Sequence, residues 1–80
     1  MYQFSTILFV EGHPVKYDIS LNDVVASLHP SENPNSFLVP PLLQAQKSSD
    51  AWQITGTADR DLIDQVIEEL EWNQNKYTAA

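Results

Sequence analysis

Trp52-Gln53-Ile54-Thr55-Gly56-Thr57, running into Ala58-Asp59-Arg60-Asp61-Leu62-Ile63-Asp64-Gln65-Val66-Ile67-Glu68-Glu69-Leu70, decides the class of this chain. Through Thr55 the apolar and polar residues alternate, with Trp52 and Ile54 on one face, which is the pattern of a half-covered strand. Gly56 stops that pattern. Leu62, Ile63, Val66, Ile67 and Leu70 then recur at the spacing of one helical face, and Thr57 or Asp59 can cap the first turn. A strand leading into an amphipathic helix predicts a small α+β domain.

Towards the N-terminus, residues 2–11 read as a strand rich in β-branched and aromatic residues. Tyr2, Phe4, Thr6, Leu8 and Val10 share one face, and Ile7 and Phe9 lie on the other, so cover on both sides is expected. Glu11-Gly12-His13-Pro14 is a turn signal. Val15, Tyr17 and Ile19 then alternate with Lys16 and Asp18, which predicts a β-hairpin over residues 2–19. Ser20-Leu21-Asn22-Asp23 has the form of a capping box, and Leu21, Val24, Val25 and Leu28 follow at helical spacing. A short helix is expected there, ending at His29 because the residue before Pro30 avoids helical geometry.

Residues 30–36 form a loop by composition. Phe37-Leu38-Val39 suggests an edge strand, or a strand kinked by Pro40-Pro41 before Leu42-Leu43-Gln44-Ala45-Gln46, because proline cannot donate to a ladder. Lys47-Ser48-Ser49-Asp50 is a further turn. The expected architecture is thus a four-stranded, mainly antiparallel sheet in ββαββα order, with two helices packed on one face. Residues 1–72 make the single domain and residues 73–80 a frayed polar tail. A ferredoxin-like order would need a helix between the first two strands, and Gly12-His13-Pro14 is too short to hold one.

Composition narrows the function. The chain has 80 residues, no cysteine and a net charge of −7, with eleven acids against four basic residues. No disulfide framework, thiol nucleophile or zinc ribbon is available. Four scattered cations disfavour direct nucleic-acid binding and attachment to an anionic membrane. The longest aliphatic or aromatic run, Ile7-Leu8-Phe9-Val10, is too short to span a bilayer, and Met1-Tyr2-Gln3-Phe4 lacks a basic leader, so the cytoplasm is the simplest location.

Chemistry-bearing patterns are weak. His13 and His29, with Glu11 or Glu32, have the residue types of a zinc site, but nothing in their spacing brings them together. Asp59, Asp61 and Asp64 lack the glycine and later glutamate of an EF-hand, and Asp59 and Asp61 are better explained as first-turn residues favoured by the helix dipole. There is no Gly-x-Ser-x-Gly elbow, and Gly12 and Gly56 are too far apart to cradle a phosphate. No catalysis, cofactor or bound metal is expected.

What remains suits binding. Six acids and one arginine lie between Asp59 and Glu71. Glu68, Glu69 and Glu71 stand near the carboxyl end of the helix, where its dipole disfavours them. Asp61, Asp64, Glu68 and Glu71 project opposite Leu62, Val66 and Leu70 as one negative strip, with Trp72 as an apolar anchor if the helix continues that far. If it ends near Glu71, Trp72 folds back on the sheet instead. The apolar run Phe37–Leu43 offers a docking edge or dimer surface, although its prolines equally protect an edge strand from aggregation. The favoured reading is an accessory or regulatory module that contacts a basic protein surface and self-associates as a homodimer. The alternative is a nucleic-acid mimic that inhibits a DNA- or RNA-binding protein; a small metal-dependent enzyme, or a subunit of one, ranks third.

Overall fold

Tyr2–Val10 (β1) and His13–Leu21 (β2) form the expected hairpin, with every residue from Tyr2↔Leu21 to Val10↔His13 in register. The computed structural model describes the backbone of residues 2–33, 37–49 and 51–79, and the side chains of these as far as Gln74. Glu11 and Gly12 form the two-residue turn, both with positive φ (53° and 81°). That geometry matches the right-handed twist of the flanking strands. Pro14 falls opposite Phe9, beyond the reach of the next strand, so its missing N–H costs no ladder bond.

Three more strands follow: Val25–Glu32 (β3), Leu43–Ser48 (β4) and Ala51–Thr55 (β5). All pair antiparallel with their sequence neighbours, in the order β1-β2-β3-β4-β5. One helix, Arg60–Ala79 (α1), packs on one face and touches both β1 and β5. The ββαββα order with four strands and two helices is therefore wrong: the sheet has five strands and the described residues hold one helix.

The missing helix is the error of greatest consequence. Leu21, Val24, Val25 and Leu28 do not share a face. Leu21 and Leu28 are buried, while Val24 is 53% and Val25 39% exposed. Asn22 turns the chain instead: its Oδ1 accepts the amides of Val24 and Val25 at 3.0 and 2.8 Å, and its N–H donates to the Val25 carbonyl at 2.9 Å. Asparagine favours such side-chain-closed turns over a helix interior. An isolated helix this short is marginal in water. A hairpin instead continues the alternation of β2, placing Leu21 opposite Ala26 and Ile19 opposite Leu28 with all four in the core. Two residues seven apart share a face in a helix, and also at the two ends of such a hairpin.

Pro30 is accommodated in β3, where the pairing with β2 shifts register between Lys16 and Tyr17. Bulges and edges are where a sheet admits proline. Phe37–Leu42 forms no strand; it is an extended connection, and the ladder resumes at Leu43 once both prolines are past. Tyr17 reaches across to this connection and donates its hydroxyl to the Pro41 carbonyl at 2.8 Å. Gly56 (φ +105°) lies so close to the Leu42 carbonyl that an added Cβ would collide with it, which ties the connection to the start of the helix.

One face of the sheet builds the core. Leu8 and Val10, Val15, Tyr17, Ile19 and Leu21, Ala26 and Leu28, Leu43 and Ala45, and Trp52 all point towards Leu62, Val66 and Leu70 of α1. At about 25 cal/mol per Å² of apolar surface removed from water, this shared layer is the main stabilising term. Burial raises the Tyr17 hydroxyl pKa from its ordinary value near 10 to about 12.

Candidate functional site

The helix starts where its sequence predicts. Thr57 Oγ1 accepts the Asp59 amide at 3.1 Å, Asp59 Oδ1 accepts the Asp61 amide at 3.0 Å, and the Asp59 carbonyl accepts the first helical bond from Ile63. Asp59 is thus the N-cap, braced by Thr57.

Along α1 the residues sort by direction. Leu62, Val66, Leu70 and Asn73 are buried. On the β1 side, the Gln65 amide grips the backbone of Phe9, with Oε1 accepting its N–H at 2.8 Å and Nε2 donating to its carbonyl at 2.9 Å. One turn later Glu69 Oε1 accepts the Thr6 hydroxyl at 3.0 Å, and Asn73 Nδ2 donates to the Glu69 backbone carbonyl at 2.8 Å and to Oε2 at 3.3 Å. On the opposite side Gln74 accepts from Lys47 Nζ and donates to the Asp23 carbonyl, both at 2.9 Å. Lys47 Nζ also lies 5.9 Å from the centre of the Trp52 ring.

The remaining direction is the acidic one. Asp61, Asp64, Glu68 and Glu71 are all exposed, and among the described residues none of their carboxylates has a hydrogen-bond or ion-pair partner. The ion pair among the described residues is elsewhere, between Lys16 and Glu32 at 3.9 Å across β2 and β3. Glu69 is set apart from the strip because it serves the contact with β1. Trp72 lies inside the helix, 61% exposed, and does not fold back on the sheet. Its rotation, about 100° per residue, brings it to the same flank of α1 as Gln65 and Glu69, facing the β1 edge.

The other candidates separate. His13 opens β2 and His29 sits within β3, both exposed and on strands, not in loops. Among the described residues no group of three or more His, Cys, Asp or Glu is placed to hold a metal ion. Phe37, Val39 and Leu42 are 96%, 88% and 65% exposed, so the connection before β4 does present apolar surface. A cavity of about 560 Å³ on the outer sheet face, lined by Ile7, Pro14, Lys16, Glu32 and Asn33, is open and has no convergent catalytic set. Among the described residues no helix is long and apolar enough to cross a membrane.

The reading of residues 2–11 missed that Ile7 and Phe9 are half exposed on the outer face, at 50% and 51%. The sequence carried no signal for this: an uncharged strand suggests cover on both faces, and the described residues hold one helix, on the inner face. Comparison with protein-family models, curated proteins and solved structures finds no match to this chain.

Proposed function

We propose that this chain is a small acidic binding module that acts by contact, presenting the outer side of α1 to a basic protein surface. The observation that carries the reading is the position of Asp61, Asp64, Glu68 and Glu71: exposed, in sequence along one side of a helix, and unused by the fold among the described residues. Glu68 and Glu71 stand near the middle of α1, which continues to Ala79, so the helix dipole, acting within the last turn, does not oppose them as the sequence suggested. The four carboxylates repel one another at i,i+3 and i,i+4 spacing, and a basic partner surface relieves that repulsion. Such a strip accelerates encounter with a cationic surface and adds modest affinity, both screened by salt. Trp72, at the flank of the strip, supplies the apolar contact that gives such an encounter residence time.

The test is an NMR titration of the full chain with oligolysine at low and high salt. Shift changes confined to residues 61–72, lost at high salt and in the Glu68→Gln/Glu71→Gln variant, are the expected result. Changes spread evenly over all exposed acids, untouched by the double substitution, would reduce the strip to a solubility feature.

A further inference from the structure

The sheet has two edges, and they are treated differently. Both edge strands touch α1, but β5 has only five residues. β1 has nine, Tyr2–Val10, with no charged residue and no proline. Native sheets usually blunt a long edge with lysine, proline, a bulge or a covering element. Here the cover is local. Because Gln65 grips both the N–H and the carbonyl of Phe9, those groups point away from β2. The β1–β2 register is unbroken, so alternation directs the backbone groups of Ile7, Ser5 and Gln3 outward as well. Those three residues are exposed, and among the described residues nothing accepts or donates to their outward N–H and carbonyl groups.

We infer that this open length of β1 is the seam of a homodimer, in which β1 of a second copy pairs antiparallel with it about a two-fold axis at Ser5. That axis sets Ser5 opposite Ser5 and Gln3 of each copy opposite Ile7 of the other. Each such pair joins residues whose N–H and carbonyl groups both face the seam, so each exchanges two hydrogen bonds. The occupant is a second copy because the strand is its own complement in this register. Charge points the same way. Two chains of net charge −7 repel over most of their surface, and β1 is a stretch along which they meet with no opposed charges. The apolar area of Ile7, half exposed on the outer face, is then covered by the facing strand. The grip of Gln65 on Phe9 ends the open length at Ile7 and so fixes the register. Asp61, Asp64, Glu68 and Glu71 lie on the side of α1 away from the sheet and stay open in this dimer, so the inference does not depend on the acidic strip, whereas Trp72, on the flank facing the β1 edge, lies beside the seam.

Sedimentation equilibrium on the full chain, at concentrations on the order of tens of micromolar, tests it. Wild type should run at twice the 9.0 kDa monomer mass. Ser5→Lys places a lysine beside Asp18, its neighbour across β2, and so preserves the monomer fold. In the dimer it opposes two ammonium groups at the axis and should weaken association by roughly tenfold or more. Val39→Ser, on the exposed connection before β4, should leave the dimer intact. Amide exchange gives a readout that needs no variant: the Gln3, Ser5 and Ile7 amides should become protected as the wild-type concentration rises. A wild-type monomer at these concentrations, a Ser5→Lys variant that dimerises like wild type, a dimer dissolved by Val39→Ser but not by Ser5→Lys, or unprotected Ser5 and Ile7 amides in a dimer would each overturn the inference.

Discussion

The two sides of α1 are built from different chemistry. The inner side is apolar at Leu62, Val66 and Leu70, and its flank towards β1 uses a neutral amide, Gln65, and a single carboxylate, Glu69, each bonded to β1. The outer side is Asp61, Asp64, Glu68 and Glu71, and among the described residues none of these carboxylates is bonded to anything. The difference teaches that the fold uses one acid of the helix body for docking and leaves the others to the solvent. Their charge therefore owes nothing to packing, and changing it probes function with little effect on stability.

The contrast breaks most visibly at its inner side. Leu70→Ala removes a fully buried side chain between helix and sheet and should cost about 3 kcal/mol of unfolding free energy, read by chemical denaturation. A cost near zero would mean the helix is not docked as described.

Beneath the helix, Tyr17→Phe removes the hydroxyl that bonds Pro41 and should cost about 1 kcal/mol. Its pH dependence is more specific. The folded-state pKa lies above the unfolded value near 10, so the folded chain holds the proton more tightly. The stability linked to this group is complete below about pH 10 and is lost as pH rises through about 12. Denaturation across that window should show a steeper decline for wild type than for Tyr17→Phe.

Next in size is the flank. Gln65→Ala deletes both bonds to Phe9 and should cost about 1 kcal/mol, because water partly replaces them at an exposed edge. The Phe9 amide should exchange faster in the variant, and an unchanged rate would show that Gln65 does not seal the edge.

The smallest effect belongs to the outer side. Glu68→Gln with Glu71→Gln should leave stability unchanged or raise it by a few tenths of a kcal/mol, since it relieves like-charge repulsion along the helix. A loss above about 1 kcal/mol would show that these carboxylates have a structural role after all.

How much of this was legible varies by segment. Residues 60–70 and 20–28 both space their apolar residues at helical intervals, yet only the first is a helix. Residues 60–70 belong to a helix of 20 residues with a cap at Asp59, whereas residues 20–28 hold two serines, two adjacent valines and an asparagine that closes a turn. Propensity and length separated the two cases where periodicity did not. The Phe37–Leu43 run was ambiguous because apolarity suggests a strand and proline forbids one; the ladder begins after the prolines. Of the candidate strip, the outward direction of Asp61, Asp64, Glu68 and Glu71 followed from the helical repeat alone. The inward turn of Glu69 did not, because its partner Thr6 lies far away in sequence.

By itself the sequence determined the β1–β2 hairpin, the last strand, the final helix with its cap at Thr57 or Asp59, and which residues of β1, β2 and β5 share a face. These depend on contacts a few residues apart, where backbone geometry and side-chain period leave little choice. Only the tertiary structure decided that residues 20–28 turn into a third strand, that Gln65 and Glu69 dock the helix on β1, and that Gln3 to Ile7 stay open along the edge. Each of those depends on where a backbone or side-chain polar group finds its partner, and a hydrogen bond between residues far apart in the chain leaves no period in the sequence to read.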